Sequence, residues 1–197
     1  EQIVYHVARR EKFPLLLGLL KKETEDVRVM VFVNTKREGE HLSGRLQMND
    51  YKVAYLSGDI VQKKRLRIVE DFKAGKLNFL VATDVAARGL DIPDLDLIIN
   101  FDVPRNGEDY MHRIGRTGRM FESGQAITLV NANEWNNMIS IENFLKIECS
   151  ERKIKPLAAK FKGPENRKTS GKSYGNKRKK IKKVKKDKTK IKTRVRD

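Results

Sequence analysis

At 197 residues the chain has room for one domain of ordinary size with something appended. Its net charge of +17 is lopsided, because residues 155–197 hold 19 Lys/Arg against 3 Asp/Glu while residues 1–154 hold 24 against 23. That excludes a uniformly basic, nucleic-acid-coating protein and leaves a near-neutral body with a basic tail that carries most of the attraction for polyanions.

Along the body, apolar runs alternate with helical patterns. An opening strand is predicted at Ile3–Val7, then a helix across Lys12–Lys22 with Pro14 in its first turn. VRVMVFV (Val27–Val33) is continuous and β-branched, as in a strand buried on both faces. Residues 36–48 read as a helix with Leu42 and Leu46 inward, and VAYLS (Val53–Ser57) as the next strand. QKKRLRIVEDFKAG follows as a helix that Gly75 ends. NFLVAT (Asn78–Thr83) and LDLIINFD (Leu95–Asp102, after its first Leu) give further strands, GEDYMHRI a short helix, QAITLV a strand, and Asn133–Lys146 an amphipathic closing helix. Strands alternating with helices of this length imply a parallel sheet covered on both faces. Ligands of such sheets collect at the carboxyl ends of the strands. The polar punctuation after four strands (NTK, SGD, TD and NFD) is therefore expected along one edge, beside the loop that carries HRIGRTGR.

From about Lys155 the pattern stops. KRKKIKKVKKDKTKIKTRVR has little apolar content beyond spaced Ile and Val, and its like charges disfavour an isolated helix. The sequence thus divides into a domain over residues 1–150 and a basic tail, expected to be disordered, over 151–197. The tail reads as a solubilising segment, a localisation signal, or a salt-sensitive contact with nucleic-acid phosphates.

Cys149 is the only cysteine, which excludes an internal disulfide and a cysteine metal cluster. His6, His41 and His112 share no metal-ligand spacing, so no metal site is expected in this chain. The longest apolar run, Leu15–Leu20, is too short to cross a bilayer. With Glu1 in place of an initiator Met and no signal peptide, these features point to a piece of a cytoplasmic protein without membrane contact.

HRIGRTGR (His112–Arg119) sets Arg113, Arg116 and Arg119 three apart with Gly115 and Gly118 between them. A solvated basic turn would account for a lone R-x-x-R. The interleaved glycines instead allow backbone and planar guanidinium forks to close on a shared anion, of which phosphate is the obvious one. No G-x-x-x-x-G-K-[S/T] phosphate loop and no D-E-x-D run accompanies them. The arginines look like half of a site whose other half lies on another domain.

FVNTK (Phe32–Lys36), QKKR (Gln62–Arg65), ATDVAARGLD (Ala82–Asp91), INFD (Ile99–Asp102) and HRIGRTGR resemble, in wording, order and spacing, the successive C-terminal motifs of DEAD-box RNA helicases. The resemblance covers roughly Gln2 to Lys146 and leans towards the bacterial branch, including the helicase of the RNA-degrading complex. It implies an α/β, three-layer RecA-like (P-loop NTPase-like) domain with a mostly parallel central sheet. It also implies that Arg116 and Arg119 are arginine fingers on ATP, and that Gly89 and Asp91 meet its ribose and phosphate edge. Thr83 and Arg65 would contact the RNA backbone, supported by Gln62 and Thr35. Gln62 and Arg65 share a face in the first turn of their helix, where free amides can also meet an anion. His112 and Arg113 would couple to the acidic motif of an N-terminal RecA-like domain of the same polypeptide. That domain would hold ATP with Mg2+, so this chain alone is expected to be inactive. Assemblies on ribosomal precursors or in RNA decay are the expected settings. A non-enzymatic RNA-binding or assembly module, or a DNA helicase of the wider superfamily, are the competing readings.

Overall fold

The computed structural model describes residues 1–22, 27–90, 92, 95–117 and 124–154. Asp91, Arg119 and the tail from Lys155 onward lie outside them. Seven strands form one sheet: β1 (Gln2–His6), β2 (Val29–Phe32), β3 (Val53–Leu56), β4 (Phe79–Ala82), β5 (Leu97–Asn100), β6 (Gln125–Val130) and β7 (Ser150–Arg152). Their order is β3-β4-β2-β5-β6-β1-β7, and every pairing is parallel. Six helices connect them: α1 (Lys12–Leu20), α2 (Lys36–Gln47), α3 (Gln62–Lys73), α4 (Asp84–Ala87), α5 (Gly107–Ile114) and α6 (Trp135–Leu145).

The continuous apolar strands are explained by their alternation. Val29 and Val31 of β2 point to the face covered by Leu15, Leu16 and Leu19 of α1 and Leu42 and Leu46 of α2. Met30 and Phe32, one residue out of phase, point to the opposite face, where Ile68 and Phe72 of α3 and Ala86 and Ala87 of α4 pack. Tyr110 of α5 and Met138 and Ile141 of α6 close that second face over Val4 and Val130. A strand with both faces covered has no solvent side to alternate towards, so every position is apolar. The result is the three-layer parallel arrangement read from the sequence.

The helix ends follow local chemistry. The Thr35 hydroxyl accepts from the Glu38 amide at 3.2 Å and caps α2. Asn106 does the same for α5, accepting from the Asp109 amide at 2.8 Å. Gly75, at φ +72°, takes the left-handed conformation just past the end of α3. Three short elements escape the sequence patterns: β7, three exposed residues paired to β1; α4, a single turn; and a 3-10 turn at Arg9–Glu11.

Register fixes where the strands end. Phe32 sits opposite Ala82 and Asn100, and Leu56 opposite Ala82. The loops starting at Asn34, Ser57, Thr83 and Asp102 therefore emerge along one edge, as the punctuation predicted.

Candidate functional site

Arg113 organises this edge. It comes from the last turn of α5 and is 1% exposed. Its Nε and Nη2 donate to the two carboxylate oxygens of Asp84 at 2.7 and 2.8 Å, a two-pronged pairing that a guanidinium fork suits. Nη2 also donates to Asn34 Oδ1 at 2.8 Å. Nη1 donates to Asn100 Oδ1 at 3.1 Å and to the Asp102 carbonyl at 2.8 Å. All five N–H groups of the guanidinium are thus used inside the domain, and the cation lies 5.0 Å from the Phe32 ring centroid. The expected outward coupling role does not match this placement: Arg113 has no donor left to offer another domain. It clamps α5 to the ends of β2, β4 and β5 instead. Tyr110, one turn earlier, is fully buried and donates to Gln2 Oε1 at 3.1 Å. Burial raises its phenol well above the ordinary range and pushes the neighbouring Cys149 thiol up to about 11.

His112, the other expected coupling residue, is exposed. With Asp84, Arg88, Asp109 and Arg116 it lines a shallow cleft, in which Arg88 pairs with Asp109 at 2.8 Å. Arg116 lies past the end of α5, half-buried, and donates to the carbonyls of Leu90 at 3.0 Å and Ala87 at 3.2 Å. Gly89, between those two carbonyls, has φ +70°, a conformation that L side chains rarely adopt. Arg119 and Asp91 are outside the described residues.

Of the residues expected to face RNA, Thr83 and Arg65 meet α4. Thr83 occupies the N-cap position of this turn, and its hydroxyl does not cap it. Arg65, in the first turn of α3, donates from Nη2 to the Ala86 carbonyl of α4. Its Nε is buried with no hydrogen-bond partner. Gln62 opens α3 and is exposed. Thr35 is exposed, and its hydroxyl is engaged in the α2 cap. So α4 has Thr83 at its start, receives Arg65 at Ala86 and receives Arg116 at Ala87. One four-residue helix joins residues that the sequence reading assigned to two different ligands.

Sequence reasoning missed several residues that shape the edge. Asn34, Asp84, Asn100 and Asp102 lie in the punctuation it noticed; the first three serve the Arg113 clamp with their side chains and Asp102 with its backbone carbonyl. Lys12 gave no signal, because a lysine at the start of an amphipathic helix reads as surface. It is 1% exposed, and its Nζ donates to the Phe101 carbonyl at 2.6 Å and to Glu134 Oε2 at 2.7 Å. Among the described residues no group of three or more His, Cys, Asp or Glu is placed to hold a metal ion, and no helix is long and apolar enough to cross a membrane.

The family model for the helicase conserved C-terminal domain matches residues 11–121. A chain of the Escherichia coli DEAD-box protein SrmB, solved bound to regulator of ribonuclease activity A, superposes with a TM-score of 0.78 at 38% identity, over 84% of this chain and 98% of that one. The chain belongs to the helicase C-terminal domains of DEAD-box proteins. Within this family it is similar to the ATP-dependent RNA helicase RhlB of Idiomarina loihiensis, 50% identical over 142 residues, which is 72% of this chain and 33% of that protein. The RhlB of an Enterobacter species is 41% identical over 173 residues, 88% of this chain and 41% of that protein. Saccharomyces cerevisiae Dbp5 bound to RNA and ADP BeF3 superposes with a TM-score of 0.72 at 32% identity, over 78% of this chain and 41% of that one. The helicase C-terminal domain described here therefore spans about a third to two fifths of the curated relatives it matches.

Proposed function

We propose that this chain is the C-terminal half of an ATP-dependent RNA helicase. Its role is to supply arginine fingers to ATP and backbone contacts to RNA, so that closure on an N-terminal RecA-like half couples hydrolysis to local remodelling of RNA. The observation that carries this is the double load on α4. Thr83 stands at its start, and Arg65 and Arg116 are held on the successive carbonyls of Ala86 and Ala87, so a shift of this turn caused by RNA reaches the finger.

In the separate domain Arg116 rests on two neutral carbonyls. A phosphate brought up by the other half offers the same fork a full opposite charge and a two-pronged acceptor. Closure would therefore draw Arg116 off Ala87 and Leu90 and onto the transferring phosphoryl group. Together with Arg119, it would offset the charge there, an effect typically worth about 10³-fold or more in rate. Asp91 is proposed to hold the ribose, with Gly89 giving the backbone its close approach. ATP and RNA that each bridge both halves favour the same closed state, which makes their binding mutually supportive. His112, exposed beside Arg116, is proposed to reach the acidic motif of the other half. The Mg2+ that accompanies ATP belongs to that half as well.

Thr83, Arg65, Gln62 and Thr35 meet sugar and phosphate, so recognition is of polymer type and shape rather than base order. The basic tail over 151–197 adds counterion-releasing contact with RNA, steeply weakened by salt. The proposed setting is cytoplasmic, in RNA decay or in an assembly on ribosomal precursors.

The test is strand separation of a short RNA duplex by the full-length gene product. Separation that requires ATP and is lost on Arg116→Ala supports the proposal. Separation indifferent to ATP, or binding of RNA without any separation, favours the non-enzymatic module.

A further inference from the structure

Beneath the RNA-facing edge lies a buried ion cluster in which Lys12 and Glu134, both outside the motifs, meet Asp102 at the end of one of them. The Lys12 side chain is 2% exposed and its Nζ is 2.7 Å from Glu134 Oε2 and 3.7 Å from Asp102 Oδ1. Both carboxylates are otherwise occupied with backbone. Glu134 accepts from the Asn131 amide at 3.0 Å and the Val103 amide at 3.3 Å. Asp102 Oδ2 accepts from the Asn34 amide at 3.0 Å. Asn34 in turn donates from Nδ2 to the Val103 carbonyl at 2.8 Å and accepts from Arg113, which holds Asp84.

The path from Lys12 therefore runs through Asp102 and Asn34 to Arg113 and Asp84. Asn34 is the residue before Thr35, and Asp84 the residue after Thr83. Two cations, Lys12 and Arg113, serve three carboxylates, Asp84, Asp102 and Glu134. Removal of Lys12 would leave two neighbouring carboxylates with no cation between them, and their repulsion acts directly on the Asn34 amide. Arg116 is not on this path, because its partners are the carbonyls of Ala87 and Leu90.

We propose that Lys12 is a positioning residue for the RNA-facing edge, acting through Asp102 and Asn34. It touches neither RNA nor ATP and fixes the loops that meet RNA. The inference rests on the helicase proposal for what those loops bind. Two consequences separate it from a plain contribution to stability. First, a general loss of stability would weaken both ligands alike, whereas the path reaches the RNA side directly and Arg116 only through α4. Second, coupling is reciprocal, so RNA bound at Thr35 and Thr83 must steady the cluster in return.

Hydrogen exchange on the unmodified full-length gene product, with and without single-stranded RNA, reads the second consequence. The peptide spanning Asn131 to Trp135, whose Asn131 amide bonds Glu134, is expected to exchange more slowly with RNA, as is the peptide around Thr83. Protection at Thr83 without protection at Asn131 would overturn the role of Lys12. Protection at neither would instead count against the RNA-binding proposal. For the first consequence, Lys12→Met and Glu134→Gln are compared in RNA-stimulated ATP hydrolysis. Each is expected to raise the RNA concentration for half-maximal stimulation by roughly two- to thirty-fold, with the ATP half-saturation at saturating RNA moved less. A folded variant of either kind with unchanged RNA dependence, or with both ligands weakened equally, would overturn the proposal.

Discussion

Replacing Arg113 by Ala should destabilise the domain rather than merely silence it. The side chain makes five hydrogen bonds, two of them to Asp84, and is 1% exposed. Breaking a buried pair by removing one partner costs about 3–5 kcal/mol, because the remaining charge is stranded. Asp84 is 21% exposed, so water recovers part of that cost. Asn34 Oδ1 and Asn100 Oδ1 lose donors at the same time, at about 1–3 kcal/mol for each acceptor left without one. These losses overlap, and the net comes to about 4 kcal/mol. For a domain of this size that lowers the melting temperature by roughly 8–16 °C. The assay is thermal unfolding followed by circular dichroism, beside Arg113→Lys and Arg105→Ala. Lysine keeps the charge but not the fork, and should lose about half as much. Arg105 is exposed, and its removal should change stability by less than about 0.5 kcal/mol. If Arg113→Ala melts within about 2 °C of the parent chain, the clamp is not what holds α5 to the sheet, and an outward role for this arginine would be restored.

Glycines in α2 give two changes of opposite sign. A Cβ on Gly39 would lie 2.2 Å from the Tyr55 ring, so Gly39→Ala should cost about 1–3 kcal/mol. Nothing lies within 4 Å of a Cβ on Gly44, and Gly44→Ala should stabilise by about 0.5–1 kcal/mol in denaturant titrations. The thiol of Cys149 has a folded-state pKa of about 11 against an ordinary 9.0. Its contribution to stability is fully present below pH 9 and is lost as pH rises through about 11. Cys149→Ala should therefore show a smaller fall in unfolding free energy than the parent between those pH values, and equal falls would contradict the assignment.

Most of the fold was legible because the sheet is parallel and covered on both faces. Strand β6 and helix α5 have the limits their apolar patterns predict, and the other patterned elements differ by a residue or two at their ends. β7 was not legible, since Ser150–Arg152 is short, polar and exposed and owes its conformation to pairing with Ile3–Tyr5. The one-turn α4 was hidden for a similar reason: four residues carry no period. For the site, motif spacing brought Arg65, Thr83, Gly89 and Arg116 into one neighbourhood. It misassigned the direction of Arg113. The partners that turn this arginine inward come from positions as far as Asn34, 79 residues away. Three arginines at equal spacing look equivalent in one dimension. Only the fold distinguishes the one facing Asp84, Asn34 and Asn100 from the one resting on Ala87 and Leu90.

The most direct measurement is ATP hydrolysis by the full-length gene product, with and without single-stranded RNA, beside Arg116→Ala and Arg119→Ala. The account predicts turnover stimulated by RNA and reduced by about 10³-fold or more in either variant, with RNA binding retained. Turnover indifferent to RNA and to both arginines would contradict a site divided between two domains.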